Sequence, residues 1–458
     1  MIAELRDYQA SGFRWLARLA ELGLGAVLAD DMGLGKTVQA ISMLLRRADG
    51  GPAIVVAPTS VIFNWQRELA RFAPSLKVIV YRDGDRVRIL KGAKGGMVIL
   101  TTWALLRRDV EAFSGLTWHT VVLDEAHAVK NAKTATAKAT KALNASWIVA
   151  LTGTPIENHM GELYSLMETV LPGLFGTWEH FARTFATPIE NHRDAEAQAR
   201  LARLVRPFLL RRTKSQVAVE LPPRTEVRLD VELNPSERKL YDAECSRALG
   251  LLPNGMNESE GRIQVLAALT RVRQLACAAH LLDDRQPRIS SKILTLLDEV
   301  RSVHEEGRAM LVFSQFTSLL ALVSEALTSE GLVHESLTGE TPSDERRRLV
   351  DDFQAGRFRI FLLSLKAGGA GLNLTAADTV FLLDPWWNPA AEDQAADRAH
   401  RLGQTQPVTV VRLVTLETVE EKVLELHTKK RDLVRGILEG ADLSAKVTVK
   451  ELVELLKA

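Results

Sequence analysis

A short stretch near the start of the chain combines the residue types that bind phosphate. After an apolar run typical of a buried strand, the chain reads Asp30-Asp31-Met32-Gly33-Leu34-Gly35-Lys36-Thr37 and continues with apolar residues at helical spacing. In this setting the backbone N–H groups of the loop and the helix N-terminus bind phosphates, lysine reaches the terminal phosphates, and the threonine hydroxyl holds Mg²⁺. Asp30 stands where the first glycine of the full pattern belongs. Taken alone, such a stretch can also be an ordinary strand-to-helix turn.

An acidic pair follows another predicted strand. Asp124 and Glu125 come directly after the apolar residues Thr120–Leu123. The first carboxylate can hold, together with Thr37, the Mg²⁺ that bridges nucleotide phosphates, and the second can position or deprotonate an attacking water. Exposed Asp-Glu pairs are common in proteins, but this pair follows a phosphate loop and a buried strand. We therefore predict that Lys36, Asp124 and Glu125 take part in catalysis.

The elements that must position these residues alternate between strand and helix. Each predicted strand of the first half stops at small polar or acidic residues and is followed by a helical segment. This alternation predicts an α/β fold with a doubly wound parallel sheet, in which ligands bind at the carboxyl ends of the strands. The segment 155–287 is predicted to be mainly helical. The further predicted strands are Ala53–Pro58, Met97–Leu100, Trp147–Leu151, Ala309–Phe313, Arg359–Leu363 and Thr379–Leu383.

Composition limits the classes of protein to consider. A chain of 458 residues corresponds to about three domains of roughly 150 residues each, or to two large ones. With 58 basic and 57 acidic residues, any nucleic-acid surface must be a local patch. Two cysteines are too few for a metal cluster or a disulfide framework and fit a reducing cytosol. No apolar run approaches the ~18 residues that span a bilayer, so we expect no membrane partner.

Eight motifs together resemble the SWI/SNF-type ATPase motors of helicase superfamily two, which carry a DEAH-like box. They cover nearly the whole chain in the expected order, although Asp397 occupies a position that is usually glycine in that family. The motifs are Leu5–Gln9, Asp31–Thr37, Asp124–His127, Leu151–Asn158, Leu311–Phe316, Ser364–Thr375, Asp384–Pro389 and Gln394–Gln404.

The resemblance implies two tandem RecA-like lobes, each a doubly wound parallel sheet, with helical insertions between them. Residues 1–215 would form the first lobe and its insertion, and residues 216–288 a connector with a second insertion. Residues 289–458 would form the second lobe, ending in a brace helix that includes Thr418–Lys430. ATP would be hydrolysed with Mg²⁺ at the cleft between the lobes.

The resemblance also assigns roles to individual residues. Arg398 and Arg401 would neutralise charge on the γ-phosphate, and their spacing predicts that both lie on one helix face. Gln9 and Gly371 would complete the nucleotide site with Asp31–Thr37. The amide of Gln9 can read an adenine edge, although taken alone this residue is as well explained as a surface glutamine. The residues expected to couple the nucleotide to movement are His127, Thr152, Gly153, Thr154, Gln394 and Trp386.

DNA contacts are expected from hydroxyl, amide and backbone groups at strand ends, which bind phosphates without reading sequence. The basic run around Arg211 and Arg212 is expected to contact DNA phosphates as well, although it could be a solvated helix face. The remaining candidates are Thr59, Ser60, Thr101, Thr102, Ser314, Gln315, Lys366, Gly369 and Asn373.

The favoured function is therefore that of a double-stranded DNA translocase which remodels or displaces DNA-bound proteins. The aromatic content of 6% gives no indication of a platform for stacking single-stranded bases. We expect a cytoplasmic monomer, associated with the nucleoid in a prokaryote. One alternative is a strand-separating DNA helicase or RNA-dependent ATPase of the same superfamily. A second is a nucleotide-gated scaffold that binds DNA or a partner without useful turnover.

Overall fold

The computed structural model describes residues 4–81, 86–156, 159–192, 194–217, 221–250, 258–365 and 372–425. These residues form two compact units, one within residues 4–217 and the other within residues 221–425. None of the helices in these ranges is both long and apolar enough to cross a bilayer.

The first unit is built on a seven-stranded sheet in which neighbouring strands are parallel, in the order β3-β4-β2-β6-β8-β1-β9. The chain moves from β1 outward to β2 and β3 and returns through β4, β6 and β8. Because crossovers between parallel strands are right-handed, this reversal puts helices on both faces of the sheet. The strands, with β5 and β7 forming a separate pair, are β1 (Ala26–Leu28), β2 (Ala53–Ala57), β3 (Lys77–Val80), β4 (Met97–Thr102), β5 (Thr117–Trp118), β6 (Thr120–Asp124), β7 (Asn144–Ala145), β8 (Ile148–Leu151) and β9 (Leu209–Leu210).

Helices connect and cover these strands. Every residue of β1, β2 and β6 is buried, as expected for strands covered on both faces, and all of these residues are apolar except Thr120 and Asp124 of β6. The helices of the unit are α1 (Asp7–Glu21), α2 (Lys36–Arg46), α3 (Thr59–Phe72), α4 (Arg86–Lys91), α5 (Trp103–Arg108), α6 (Val110–Ser114), α7 (Ala135–Lys141), α8 (Met160–Val170), α9 (Trp178–Phe181), α10 (Thr187–His192), α11 (Ala195–Val205) and α12 (Lys214–Val217).

The second unit is built on a six-stranded sheet, again with parallel neighbours, in the order β10-β15-β14-β11-β13-β12. Its first strand, β10, belongs to the segment expected to be a connector, and it pairs with β15 over its full length. The elements are β10 (Arg224–Val231), α13 (Pro235–Gly250), α14 (Glu258–Cys277), α15 (Ser291–Glu305), β11 (Met310–Ser314), α16 (Thr317–Ser329), β12 (His334–Leu337), α17 (Ser343–Gln354), β13 (Ile360–Ser364), β14 (Thr379–Leu382), α18 (Pro389–Ala396) and β15 (Val408–Thr415).

A buried ion pair joins α15 to the segment that follows β15. The Lys292 ammonium lies 2.6 Å from both carboxylate oxygens of Glu420 and donates to the carbonyl oxygen of Leu383 at 2.9 Å. Buried charges are tolerated when they are paired and hydrogen-bonded in this way. Residues 419–425 are helical, and Val419 and Val423 pack in a core shared with α13 and α14. The rest of the predicted brace helix lies outside the described residues.

Candidate active site

The phosphate loop has a backbone that requires glycine at two positions. Gly33 and Gly35 have φ values of 84° and 76°, in the left-handed region that other residues avoid. A Cβ at Gly35 would also lie 2.5 Å from the amide nitrogen of Gln9. Gly35 is the N-cap of α2 and supplies no side chain, so the first N–H groups of this helix remain available to an anion.

Lys36, the first residue of α2, points back into the loop. Its ammonium donates to the carbonyl oxygens of Asp30 and Asp31 at 2.6 and 3.3 Å. Burial lowers the pKa of the Lys36 amine, against the raising effect of the nearby carboxylates of Glu125, Asp30 and Asp124. A phosphate would offer this ammonium a charged acceptor in place of two neutral carbonyls, which makes a stronger hydrogen bond.

Asp30, which departs from the usual glycine, is fully buried and bound by arginine. The Nε atom of Arg212 donates to Asp30 Oδ1 at 2.9 Å, and Nη2 of the same arginine donates to Asp30 Oδ2. The guanidinium also donates to Gln39 Oε1 and to the carbonyl of Tyr8. Two parallel N–H···O bonds are the strong arrangement for an arginine–carboxylate pair. The ion pair between Asp30 and Arg212 therefore holds the phosphate loop against the segment that follows β9.

The acidic pair stands at the end of β6. Asp124 Oδ2 accepts the indole N–H of Trp65 at 2.8 Å, and Oδ1 accepts the backbone N–H of Glu125 at 3.0 Å. Burial, with the neighbouring Glu125 charge, raises the pKa of Asp124 to about 6. Glu125 has a φ of 49°. A left-handed backbone at a residue other than glycine costs roughly 1–2 kcal/mol and is typical of functional sites.

These residues fit a Mg²⁺ ion that binds together with a nucleotide. In the described ranges, no group of three or more histidine, cysteine, aspartate or glutamate side chains could hold a metal ion by itself. Mg²⁺ in nucleotide sites is usually bound by one or two carboxylates and by substrate phosphates. Asp124, a buried carboxylate held in a fixed orientation, and Thr37 on the first turn of α2 are suitable ligands.

The raised pKa of Asp124 gives the site a predictable pH dependence. We expect kcat/KM for Mg²⁺-dependent ATP hydrolysis to fall as the pH drops through about 6, because the protonated carboxyl cannot hold Mg²⁺. The folded state binds this proton more tightly than the unfolded chain, whose carboxyl has a pKa of 3.8. This group's contribution to the free energy of unfolding therefore decreases as the pH rises between those two values. A pH–rate profile and denaturant unfolding without nucleotide test both statements; a flat profile across this window would contradict the first.

Three further predicted residues lie close to the loop. Thr152 at the end of β8 donates its hydroxyl to the carbonyl of Thr154 and accepts the Thr154 N–H, both at 3.1 Å. A Cβ at Gly153 would lie 3.2 Å from Met32 Cγ, so this turn lies against the phosphate loop. Thr152, Gly153 and Thr154 keep their coupling role as a prediction.

Gln9 and His127 are held by local contacts. Gln9 donates to the carbonyl of Leu34 at 3.2 Å and accepts the Arg6 N–H at 3.1 Å. This amide lies at the nucleotide site but uses both of its groups within the protein. The half-exposed His127 has Nδ1 3.5 Å from Glu125 Oε2. The adenine contact and the coupling role remain predictions.

The prediction that Arg398 and Arg401 share one helix face is wrong. The helix α18 ends at Ala396, and both arginines lie in the tight turns that follow. The carbonyl oxygen of Arg398 accepts the N–H of Leu374 at 3.1 Å, outside any helical pattern. Arg398 is buried and Arg401 half-buried. Asp397, the departure from the family pattern, lies 3.6 Å from Arg224.

The other predicted residues of the second unit are only partly described. Gln394 is half-buried on α18. Trp386 donates its backbone N–H to Glu392 at 2.7 Å, and the Arg273 guanidinium lies 5.4 Å from its ring centre. Lys366, Gly369 and Gly371 lie outside the described residues.

Several predicted DNA-contact residues are enclosed instead of exposed. Thr101 lies inside β4 and is 1% exposed, because the strand runs on to Thr102. Ser314 is fully buried and donates to Asp384 at 2.5 Å. Arg212 is committed to Asp30, as described above. These placements do not favour phosphate contact by any of the three side chains.

The remaining DNA-contact candidates are at least partly accessible. Thr59 is exposed at the start of α3, where the side chain of Ser60 is not described. The others are half-buried: Thr102, Gln315, Asn373 and Arg211.

Sequence reasoning missed the contacts of Trp65, Trp103 and Arg212. A buried tryptophan usually needs an acceptor for its indole N–H. A prediction that Trp65 is buried would therefore also have predicted a hydrogen-bond acceptor next to it. The identity of that acceptor depends on the order of strands in the sheet, which the sequence does not display.

A glycine-bearing phosphate loop and a buried Asp-Glu pair, on one of two parallel-sheet units, define an ATP hydrolase of the P-loop class. Residues 8–281 match the model of the SNF2-related domain, and residues 291–403 match the helicase conserved C-terminal domain. The chain belongs to the SNF2-related family.

Its relatives include proteins from bacteria and animals. It is 36% identical over 466 residues to the putative ATP-dependent helicase/translocase YwqA of Bacillus subtilis, covering 98% of this chain and 50% of that protein. It is 34% identical over 480 residues to the human SWI/SNF-related matrix-associated actin-dependent regulator of chromatin subfamily A member 1, covering 99% and 46%. The SWI2/SNF2 ATPase core of Sulfolobus solfataricus in complex with dsDNA is 34% identical, with 96% and 94% covered and a TM-score of 0.48. The chain spans about half the length of the curated relatives it matches.

Proposed function

We propose that this protein is an ATP-dependent double-stranded DNA translocase that remodels or displaces DNA-bound proteins. The observation that carries the proposal is the site of the first unit, where the phosphate loop that follows β1 and the Asp124–Glu125 pair at the end of β6 lie at the same edge of one parallel sheet. Family membership supports the use of ATP. The names of relatives, among them a helicase/translocase and a chromatin regulator, support action on DNA.

The residues of the first unit divide the chemistry of ATP hydrolysis among them. The loop N–H groups and Lys36 would bind the phosphates, and Asp124 and Thr37 would hold Mg²⁺, which supplies positive charge to the transferring phosphoryl group. Glu125 would position the attacking water and accept its proton. Its backbone is fixed by the left-handed turn that begins the 3₁₀ segment Ala126–Val129.

Movement along DNA requires that ATP hydrolysis at the phosphate loop changes the position of the residues that bind DNA. Gly153 lies against Met32, so a shift of the phosphate loop on ATP hydrolysis would displace the turn after β8. Arg398 and Arg401 are proposed to act on the γ-phosphate, as the family resemblance implies. The proposed DNA contacts are Thr59, Thr102, Gln315, Asn373 and Arg211, with Ser60, Lys366 and Gly369 as further candidates.

A parallel set of rate measurements tests the function. ATP hydrolysis should be strongly stimulated by duplex DNA and much less by single-stranded DNA or RNA. A triplex-displacement assay should show movement along duplex, while a strand-displacement assay should show no unwinding. Unwinding without triplex displacement would favour the alternative, a strand-separating helicase. Negligible hydrolysis with every nucleic acid would favour the scaffold and contradict the proposal.

A further inference from the structure

We infer that Trp65 and Trp103 are positioning residues. They connect the turns at Thr59 and Thr102, two proposed DNA contacts of the first unit, to Asp124, the proposed metal ligand. This inference rests on the proposed function. Each tryptophan lies on the helix that follows one of these turns. Both donate an indole N–H to Asp124, one to its side chain and one to its backbone.

Trp65 fixes the direction of the carboxylate. It is fully buried on α3, the helix that begins at the exposed Thr59. An indole N–H can only donate, so its acceptor must be an oxygen with a free lone pair. Asp124 Oδ2 is that acceptor at 2.8 Å, while Oδ1 accepts the Glu125 N–H. With one donor on each oxygen, the carboxylate has one preferred orientation.

Trp103 holds the backbone of the same residue. It directly follows Thr102, whose hydroxyl caps α5 by accepting the Leu105 N–H at 3.2 Å. The Trp103 indole donates to the carbonyl oxygen of Asp124 at 3.2 Å. A change in the Thr102 turn therefore reaches Asp124 through a single side chain.

The order of the strands brings these helices together. In the sheet, β2 lies between β4 and β6, and Val56 pairs with both Thr101 and Leu123. The carboxyl ends of β2 and β4 lead into α3 and α5, and that of β6 carries Asp124. The turns at Thr59 and Thr102 thus lie at the same edge of the sheet as Asp124.

This arrangement predicts reciprocal coupling between DNA and the metal. If binding to DNA phosphates displaces the Thr59 and Thr102 turns, the two indole hydrogen bonds transmit the displacement to Asp124. The affinity of the Asp124 carboxylate for the metal ion then changes. By linkage, the metal must then change DNA affinity by the same factor.

The test measures metal binding directly, with Mn²⁺ as the probe. Mn²⁺ affinity of the full chain with ADP is measured by electron paramagnetic resonance, with and without duplex DNA. Trp65→Phe keeps an aromatic ring and removes the N–H, and we expect about a 10–100-fold loss of Mn²⁺ affinity, as for other groups that orient metal ligands. Trp103→Phe should mainly abolish the difference in affinity that DNA causes.

Trp118→Phe is the matched control. Trp118 is also fully buried in the first unit, and its indole N–H donates to the carbonyl of Phe113 at 2.9 Å, outside the site. This variant loses a comparable bond and should keep wild-type Mn²⁺ affinity and basal hydrolysis. Equal Mn²⁺ affinities of Trp65→Phe and Trp118→Phe would overturn the positioning role of Trp65.

Measurements with and without DNA distinguish a failure of this inference from a failure of the proposed function. If duplex DNA does not stimulate the wild-type chain, the proposed function fails, yet the Mn²⁺ measurement without DNA still tests Trp65. If DNA changes the Mn²⁺ affinity of Trp103→Phe as much as that of the wild type, the role of Trp103 is overturned. Trp103 is only half-buried, so its variant remains a test even if Trp65→Phe does not fold.

Discussion

Replacing Glu125 by glutamine is expected to lower the rate of ATP hydrolysis about 10²–10⁴-fold while nucleotide binding is retained. Glutamine keeps the size of the side chain but cannot accept a proton from water. The substitution also removes a negative charge that raises the pKa of Asp124, so Asp124 should hold Mg²⁺ at least as well. Single-turnover hydrolysis and calorimetric ADP binding measure the two effects separately.

Two comparison variants sharpen this test. Lys36→Ala should abolish hydrolysis, and it should weaken nucleotide binding because the phosphates lose a cation. Glu111→Gln, at an exposed glutamate of α6, should leave both quantities unchanged. All three variants should bind duplex DNA nearly as well as the wild type. A loss of DNA affinity in proportion to the loss of activity would contradict this division of roles.

Replacing Arg212 by alanine is expected to lower the free energy of unfolding by about 3–5 kcal/mol, the usual effect of removing one partner of a buried ion pair. Asp30 would remain enclosed with its main cationic partner gone. Because Arg212 also binds Gln39 and the carbonyl of Tyr8, the phosphate loop should lose its support and its affinity for nucleotide. Denaturant unfolding and ADP binding measure these losses.

The neighbouring residue and a double variant serve as controls. Arg211→Ala removes an adjacent positive charge without touching Asp30, so it should change stability little. Combining Asp30→Asn with Arg212→Met removes both charges and should restore much of the stability lost in Arg212→Ala. A stable Arg212→Ala protein whose only defect is weak DNA binding would contradict the structural role of Arg212. That result would indicate that Arg212 contacts DNA.

The buried strands of the first sheet could be predicted well. The runs at Ala53 and Thr120 lie in strands that are buried throughout, and their observed bounds differ from the predicted ones by one residue. Strands covered on both faces need unbroken apolar runs, which are visible without any knowledge of neighbours. The phosphate loop was equally visible because its glycines are needed for the backbone itself.

Edge strands and long-range contacts could not be predicted. β9 has two residues, and β10 carries arginine, glutamate and aspartate along a largely exposed face, so neither has an apolar run. The segment after β9 contains Arg211 and Arg212, and these two arginines made it resemble a DNA-binding surface. The buried position of Arg212 depends on β9 pairing with β1, a partner far away in the chain. The contacts between tryptophans and Asp124 depend in the same way on strand order.

Both sheets are completed by strands from opposite ends of their units, β1 with β9 and β10 with β15. Pairings between distant segments close long loops and are slow to form. During synthesis, β1 therefore leaves the ribosome long before β9 and Arg212 can secure Asp30. The phosphate loop of the nascent chain therefore cannot gain the support of Arg212 until β9 has been synthesised.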